Sequence, residues 1–204
     1  MGLYNKYILP KVIDWACRQK PTNKQREKII PLAKGKVLEI GIGSGLNLPF
    51  YDKTTVKHLT AIDPFIEIWN QNKMDTKELP FDFNFIKTSA DSLPMDNNSF
   101  DFAVVTYTLC SIQDTSKAIE EIKRVLKPNG QLLFCEHGKA PDVSVQKWQH
   151  LINPLWKRLG GGCHLDKDIP LIIENNGLKI QKMETMYIPG WKPASFNYWG
   201  SAGF

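Results

Sequence analysis

One stretch of sequence decides the fold: Val37-Leu38-Glu39-Ile40-Gly41-Ile42-Gly43-Ser44-Gly45. An apolar run that ends in closely spaced glycines predicts a buried strand followed by a tight turn, because glycine permits positive φ and close approach of a ligand. The dinucleotide fingerprint G-x-G-x-x-G would need a third glycine at position 46, where this sequence has Leu46. The spacing therefore predicts a ligand-binding turn but disfavours a nicotinamide dinucleotide as the ligand.

Apolar runs of strand length alternate with stretches of helical period from residue 36 onward. The predicted strands are 37–42, 58–63, 83–88, 100–108, 131–137, 178–186 and 195–204. The predicted helices are 64–76, 115–126, 142–159 and 168–176, and a helix-ending turn is predicted at 127–130. This alternation predicts an α/β fold of Rossmann-like type, in which a seven-stranded, mostly parallel sheet carries helices on both faces.

The chain before the sheet is helical and basic. Helices are predicted at 3–18, which Pro10 interrupts, and at 22–33, which Thr22 caps. Residues 1–36 hold nine basic and two acidic side chains, although the net charge of the whole chain is only +5. Such a segment could contact anionic lipid or nucleic acid, but charge runs of this kind are more often a solvated helix face.

The length of 204 residues suits a single domain. Within it the sequence predicts an N-terminal helical lid at 1–35, a cofactor-binding half at 36–138, and an acceptor-side helix with the last strands at 139–204.

The composition limits which cellular compartment and which binding partners we expect for this protein. The four cysteines form no C-x-x-C pair and nothing resembles a secretory signal, so we expect reduced thiols in a cytoplasmic protein. No apolar run reaches the roughly 18 residues that cross a bilayer, which leaves peripheral membrane contact through the basic segment open. Aromatic and basic side chains do not interleave as nucleic-acid binding requires. We expect a small-molecule acceptor, no nucleic acid and no obligate protein partner.

Two further loops follow predicted strands. Asp63 comes 22 residues after Gly41, where a carboxylate can accept both hydroxyls of an adenosine ribose; alternatively it is a turn residue before Pro64. The polar loop 88–91 follows the third strand and would lie along an adenine edge. Ligands of open α/β sheets bind at the carboxyl ends of strands, so these loops predict one site.

The runs VLEIGIGSG (37–45), AIDP (61–64), SADSLPMDNNSFD (89–101) and VLKPNGQLLFCEHG (125–138) together resemble the class I S-adenosylmethionine-dependent methyltransferases of the ubiquinone/menaquinone type. The resemblance covers 36–138 and implies S-adenosylmethionine as cofactor, S-adenosylhomocysteine as product and the class I methyltransferase fold. The cofactor-binding residues it implies are Glu39, Gly41, Gly43, Gly45, Asn47, Asp63, Pro64, Ala90, Asp91, Thr106 and Leu109.

The resemblance also implies roles for these residues. The three glycines would pass beneath the methionine part of the cofactor, with Glu39 ordering their loop, and Asp63 would hold the ribose. Ala90 and Asp91 would flank the adenine, and Thr106 and Leu109 would line the methyl-donor end. The sequence departs at Ser89, where many relatives have Asp, so adenine selectivity would rest on Asp91 or on backbone groups.

A narrower resemblance rests on GLNLPFY (45–51), TLCSI (108–112), EHG (136–138), W-x-x-x-x-N-P-x-W (148–156), GGGCHLD (160–166) and the tail NYWGSA (197–202). These motifs are similar to the methyltransferase-like protein seven group, whose animal members are thiol S-methyltransferases. Those animal enzymes carry an N-terminal hydrophobic anchor, whereas this sequence has an amphipathic basic segment there. Membrane residence is therefore not expected to transfer.

A thiol acceptor reacts as its thiolate and has a solution pKa of about 8.5, so a modest local base would help. The candidate bases are His137, His164 and Asp166, although His137 alternatively only hydrogen-bonds a neighbouring loop. No metal is expected, because zinc needs three or four convergent ligands and the histidines and cysteines are scattered along the chain. Cys110 and Cys163 are expected to be structural thiols.

Four functions stay open at this point. The first is methyl transfer to a thiol or another small lipophilic acceptor. The second is N-methylation of an amine or a phospholipid headgroup at a membrane surface. The third is a non-catalytic module that binds S-adenosylmethionine, and the fourth is a nicotinamide-dependent oxidoreductase, against which the position of the third glycine speaks.

Overall fold

The computed structural model describes residues 3–204; the first two residues of the predicted lid lie outside the described residues. Its centre is a seven-stranded sheet with the order β3-β2-β1-β4-β5-β7-β6. The strands are β1 (Gly35–Ile40), β2 (Val56–Ile62), β3 (Asp82–Ile86), β4 (Phe100–Thr106), β5 (Leu126–His137), β6 (Lys179–Tyr187) and β7 (Phe196–Gly203). The predicted Rossmann-like, mostly parallel sheet is confirmed, and β7 alone runs antiparallel to its neighbours β5 and β6.

Strand β1 pairs in parallel with β2 on one side and with β4 on the other. The order of the strands therefore reverses at β1, and the connections that leave β1 and β4 diverge to opposite sides. In open α/β sheets this switch point opens a crevice at the carboxyl ends of the strands. The glycine turn 41–45 lies directly at that point.

Helices cover both faces of the sheet. They are α1 (Leu9–Cys17), α2 (Lys20–Ile29), α3 (Ile66–Trp69), α4 (Thr115–Val125), α5 (Val143–Leu159), α6 (Ile169–Asn175) and α7 (Lys192–Ser195), and a π-helical turn, Tyr4–Ile8, precedes α1. In α4 the buried side chains recur at helical spacing, and the Asp114 carboxylate caps the helix by accepting from the Lys117 N–H. Among the described residues, no helix combines the length and apolarity that a bilayer crossing requires.

Alternate residues of the strands enter two separate cores. Leu38 and Ile40 of β1 pack into the core that contains Ile119 and Ile122 of α4. Val37, on the opposite face, packs into the core that contains the end of α2. Both faces of the strand are therefore buried, which explains why the sequence of β1 is apolar without alternation.

The crossover between β2 and β3 differs from the prediction of a helix over 64–76. Only Ile66–Trp69 is helical. The Asn72 side chain accepts from the Met74 N–H and donates to the Met74 carbonyl, which gives the backbone an alternative to further helical turns. Trp69 instead secures the segment by stacking on Phe83 and Phe85 of the neighbouring strand.

Two predicted boundary features are corrected as well. Helix α2 begins at Lys20 with Gln19 as its N-cap, so Thr22 lies inside the helix, and its hydroxyl donates to the Cys17 and Gln19 carbonyls. The segment 127–130 does not form a separate turn but belongs to β5. There Phe100 pairs with Leu126 while Phe102 pairs with Gln131, so these residues bulge out of the pairing with β4.

Candidate active site

A cavity of about 690 Å³ opens at the carboxyl ends of β1, β2 and β4. Its volume lies in the range of pockets that enclose a cofactor-sized ligand. Of the predicted cofactor residues, those that line it are Gly41, Gly43, Asn47, Asp63, Pro64, Ala90, Asp91 and Thr106. The fold thus brings the loops after the first four strands to one site, as the sequence predicts.

The glycine turn forms the floor of the cavity. Gly41, Gly43 and Gly45 have φ angles of 71°, 56° and 77°, which residues with a side chain rarely adopt. A Cβ atom on Gly41 would also lie 2.3 Å from Cγ2 of Thr108. Gly45 shapes the turn without lining the cavity, whereas its neighbours Ser44 and Leu46 do line it.

Glu39 orders this turn from below. Its carboxylate accepts from Nδ2 of Asn47 at 2.9 Å and from the Tyr51 hydroxyl at 2.7 Å. Asn47 Nδ2 also donates to Oγ1 of Thr106 at 2.9 Å, which ties the turn to the end of β4. Burial raises the pKa of Glu39 to about 7, although the hydrogen bonds from Tyr51 and Asn47 oppose that shift.

Asp63 stands at the end of β2 with its side chain on the cavity wall. Its Oδ2 accepts from the Gly43 N–H at 3.0 Å and its Oδ1 from the Phe65 N–H at 2.8 Å. Burial raises the pKa of this carboxyl group, and the two backbone N–H groups act in the opposite direction. Each oxygen keeps a second lone pair, so the carboxylate can accept two ligand hydroxyls while it braces the turn.

The remaining predicted cofactor residues differ in whether they line the cavity. Ala90 and Asp91 line the cavity together with Ser89, in the loop after β3, and Thr106 lines it at the end of β4. Leu109 does not: its side chain is fully buried in the core around α4, because the loop after β4 turns inward where Glu136 accepts the Leu109 N–H.

Arg26 is a site residue that the sequence does not single out. It is 3% exposed and lines the cavity. Its Nε donates to Oδ1 of Asn47 at 3.0 Å and its Nη1 to the Cys17 carbonyl at 2.8 Å, and the guanidinium lies 5.2 Å from the centre of the Tyr107 ring. Nothing in the basic run of the first 36 residues distinguishes this cation from the exposed lysines around it.

The N-terminal helix closes one side of the cavity. Leu9, Pro10 and Ile13 of α1 line it, and the Ser44 hydroxyl donates to Oδ1 of Asp14 at 2.5 Å, which links α1 to the glycine turn. Lys157, Arg158, Gly161 and Gly162, which follow or end α5, line the cavity as well. Helix α1 thus lies against the cavity, and its role as a lid stays a prediction.

The three predicted bases lie behind the cavity wall. His137 Nε2 is 3.1 Å from Sγ of Cys163. His164 Nδ1 is 4.0 Å from Oδ1 of Asp166, which accepts from Nδ2 of Asn153 at 2.7 Å. None of the three lines the cavity of the described chain, and their catalytic role stays a prediction.

Comparison with known proteins identifies several relatives. The family model described as "Methyltransferase domain" matches residues 38–134. Thiol S-methyltransferase TMT1B of Homo sapiens is 32% identical over 211 residues, which cover 98% of this chain and 85% of the human protein. The Rattus norvegicus TMT1B is 31% identical over 79% of this chain, and the match spans 65% of the rat protein, less than two thirds of its length.

More distant relatives agree with these. The ubiquinone/menaquinone biosynthesis C-methyltransferase UbiE of Rickettsia bellii is 30% identical over 57% of this chain and 50% of its own. The crystal structure of a possible histamine N-methyltransferase from Thermotoga maritima superposes with a TM-score of 0.65 at 17% identity, covering 97% of this chain and 96% of that one. At this identity the superposition shows a shared fold.

Proposed function

This chain belongs to the family of S-adenosylmethionine-dependent methyltransferases that includes TMT1B, and from that premise we propose that it methylates the sulfur of a small lipophilic thiol. The methyl donor is S-adenosylmethionine and the product is S-adenosylhomocysteine. The thiol is suggested by the relatives named thiol S-methyltransferase and by the chemistry of the cavity wall.

The residues of the cavity fit this cofactor. Asp63 would accept the ribose hydroxyls, and the glycine turn, where Gly41 and Gly43 line the cavity, lets the backbone approach the ligand closely. The buried guanidinium of Arg26 would bind the carboxylate of the methionine part, because it sits beside Asn47 at the turn. When bound, the cofactor supplies an electrophilic methyl group on its sulfonium.

The observation that carries the choice of acceptor is the wall opposite the turn. Leu9, Pro10 and Ile13 make this wall apolar, and Lys157 and Arg158 place positive charge on the same cavity, which carboxylates including Asp14 and Asp114 line as well. Apolar walls favour a lipophilic acceptor, and nearby cations lower the pKa of a thiol and stabilise its thiolate. Alignment of this thiolate with the methyl group and exclusion of water would then supply much of the rate.

This wall also reduces the need for a general base. A thiol with a pKa of about 8.5 is already partly ionised at neutral pH, and the cations increase that fraction. An aliphatic amine is held in its unreactive protonated form at the same pH. The cavity therefore suits a thiol better than an amine of equal size.

The deciding experiment compares matched acceptors. Purified protein is given S-adenosylmethionine with hexanethiol, hexylamine or hexanol, and S-adenosylhomocysteine is quantified with time. We expect methylation of hexanethiol, a rate that rises with pH towards the pKa of the thiol, and less than a hundredth of that rate with the other two. Asp63→Ala should abolish turnover and weaken cofactor binding in calorimetric titration by at least tenfold.

Other outcomes identify the competing functions. Methylation of hexylamine without methylation of hexanethiol would refute the thiol proposal in favour of an N-methyltransferase. The protein could also bind S-adenosylmethionine with micromolar affinity and methylate none of the three acceptors. That result would count against a lipophilic thiol and would show that the cavity wall does not identify the class of acceptor.

We further propose that the protein is cytoplasmic and contacts an anionic membrane surface peripherally. Both helical segments next to the cavity opening expose large apolar side chains: Leu3, Tyr7 and Ile8 before α1 together with Val12 and Trp15 on it, and Val143, Trp148, Leu151, Leu155 and Leu159 along α5. The Tyr4 hydroxyl donates to the Leu159 carbonyl at 2.8 Å, so the two helices meet. The exposed cations Lys6, Lys11, Lys147, Lys157 and Arg158 complement anionic headgroups.

Vesicle sedimentation tests this contact. We expect binding to phosphatidylserine-containing vesicles that falls with added NaCl, and no binding to pure phosphatidylcholine. Leu151→Ser should weaken binding severalfold, whereas Leu171→Ser, an equally conservative change at an exposed leucine of α6, should not. Equal binding of both variants and the wild type would contradict the proposal.

A further inference from the structure

Three potential metal ligands from distant parts of the chain meet behind the cavity wall. They are Cys110 in the loop after β4, His137 at the end of β5, and Cys163 in the loop after α5; one ligand atom of each lies within 4.8 Å of the others. Tetrahedral Zn²⁺ with bonds of about 2.3 Å to sulfur and about 2.0 Å to nitrogen would hold such atoms about 3.5–3.8 Å apart. The separation of His137 Nε2 and Cys163 Sγ is 3.1 Å, somewhat shorter than this, and all three ligand atoms lie within 4.8 Å of one another, so small side-chain shifts would bring them to these distances.

The sulfur of Cys163 has a hydrogen-bond donor that suits a metal-bound thiolate. The indole Nε1 of Trp156 donates to Cys163 Sγ at 3.3 Å, and an N–H directed at sulfur suits a negatively charged, metal-bound form. The His164 N–H donates to the Cys110 carbonyl at 2.9 Å, so the backbone already holds the two cysteine loops together. The ligands are therefore positioned by the fold before any ion binds.

Among the described residues, His137 makes no polar contact outside the cluster that would compete with metal binding. Its Nδ1 is buried and has no hydrogen-bond partner among the described residues, so the polar contacts of the ring are with the cysteines. The neighbouring charges balance. The Glu136 carboxylate accepts backbone N–H groups of the Cys110 loop, and the Lys167 ammonium donates to the Leu109 and Ile112 carbonyls. A divalent ion with two thiolates would leave this balance unchanged.

We propose that Cys110, His137 and Cys163 bind one thiophilic divalent cation, for which Zn²⁺ is the natural choice. Binding takes two thiolates and a neutral imidazole, releases the two thiol protons to solvent, and leaves one position of a tetrahedron for water or an external ligand. The ion joins the loop after β4, the end of β5 and the loop after α5. Ser111 and Gly162, the chain neighbours of the two cysteines, line the cavity, so the ion would fix that part of its wall.

This proposal contradicts two expectations from the sequence, one about a metal and one about the role of His137. The sequence predicts no metal, because positions 110, 137 and 163 lie far apart along the chain. It also offers His137 as a general base, and a nitrogen bound to a metal ion cannot accept a proton from an acceptor.

Cobalt titration tests the site directly. Co²⁺ is added to reduced, metal-free protein, and the thiolate-to-cobalt charge-transfer absorption is followed. We expect saturation at one equivalent, displacement by Zn²⁺, and at least tenfold weaker binding for Cys110→Ser and Cys163→Ser. Two matched controls keep wild-type binding: His164→Asn changes a histidine next to Cys163 but outside the cluster, and Cys135→Ala removes a buried cysteine elsewhere.

A folding control separates loss of ligand from loss of structure. Metal binding is compared only for variants that retain S-adenosylhomocysteine binding and the circular dichroism spectrum of the wild type. Cys110→Ala is used in place of any variant that does not retain them. Absence of the charge-transfer band in folded wild-type protein would overturn the proposal. So would unchanged binding by Cys163→Ser, or a Cys110–Cys163 disulfide in protein purified under reducing conditions.

Discussion

Glu39 lies at the end of β1 with both carboxyl oxygens occupied by Asn47 and Tyr51. At the residue scale the site is built in this way throughout: a buried polar group holds the turn or strand end that carries a ligand contact. Asp63 braces Gly43, and Arg26 braces Asn47. Substitutions at these positions should therefore be visible both in ligand binding and in the stability of the fold.

The first prediction concerns the pH dependence of stability. Burial holds the pKa of Glu39 at about 7 in the folded protein, above its ordinary value of 4.5. The folded state therefore binds this proton more tightly than the unfolded chain. The stabilisation is fully present below pH 4.5 and is lost as the pH rises through about 7.

In Glu39→Gln the amide can still accept from Asn47 and donate to the Tyr51 oxygen, but it does not titrate. Relative to this variant, the wild type should lose up to roughly 3 kcal/mol of unfolding free energy across that pH window. Urea unfolding of both proteins at a series of pH values measures the difference. Parallel stability curves would show that burial does not raise this pKa.

The second prediction concerns Arg26. Arg26→Gln removes the charge that would bind the methionine carboxylate, and charge-assisted hydrogen bonds contribute about 1.5–3 kcal/mol. Calorimetry should therefore show at least tenfold weaker binding of S-adenosylhomocysteine. Binding of 5′-methylthioadenosine, which lacks the carboxylate, is the control and should be unchanged; an equal loss for both ligands would assign Arg26 a purely structural role.

At the scale of the elements, the pairing of β6 with β7 depends on one close backbone approach. The register shifts between Ile180 and Lys182, and the backbone there comes so near to β7 that a Cβ atom on Gly200 would lie 1.9 Å from the Lys182 carbonyl oxygen. A glycine inside a strand often marks such a place.

The third prediction follows from this contact. Gly200→Ala forces two backbones apart and should cost about 1–3 kcal/mol of unfolding free energy. Gly203→Ala in the same strand meets only the end of the flexible Gln181 side chain and should cost much less. Chemical denaturation of the two variants compares them, and equal stability would contradict the close approach.

The elements also show what sequence could and could not predict. All seven strands were predictable, and for β1 and β4 the reason is that buried parallel strands are continuous apolar runs that end in turn residues. The helix predicted at 64–76 failed since local hydrogen bonds of Asn72 compete with helical ones. Most predicted cofactor residues line the cavity because they follow strands, whereas Leu109 and His137, which also follow strands, do not line it. Arg26 was not predictable, because only the tertiary structure buries one cation of a basic run, and the Cys110–His137–Cys163 cluster joins residues far apart in sequence.

At the scale of the whole molecule, the cavity lies between the sheet and a helix that precedes it in the chain. Leu9 and Ile13 of α1 form part of its wall, and the Ser44–Asp14 hydrogen bond connects this helix to the turn. A ligand in the cavity should therefore stabilise α1 together with the sheet.

The fourth prediction measures that coupling. S-adenosylhomocysteine at 100 times its Kd should add about 2.7 kcal/mol to the unfolding free energy. It should also slow tryptic cleavage after Lys11 and Arg18, the exposed basic residues on α1 and at its end. Asp63→Ala should show neither effect at the same ligand concentration. Unchanged cleavage in the presence of bound ligand would show that α1 does not close the site.

The position of α1 has a consequence for the order of events in a catalytic cycle. The cofactor residues lie at the strand ends, and the wall that faces the acceptor is the helix itself. With the proposed acceptor site between α1 and the cofactor, the cofactor would bind before the acceptor, and the demethylated cofactor would leave after the methylated product. We therefore expect ordered kinetics, in which S-adenosylhomocysteine inhibits competitively against the methyl donor but not against the acceptor. Its release should require movement of α1 and should limit the steady-state rate.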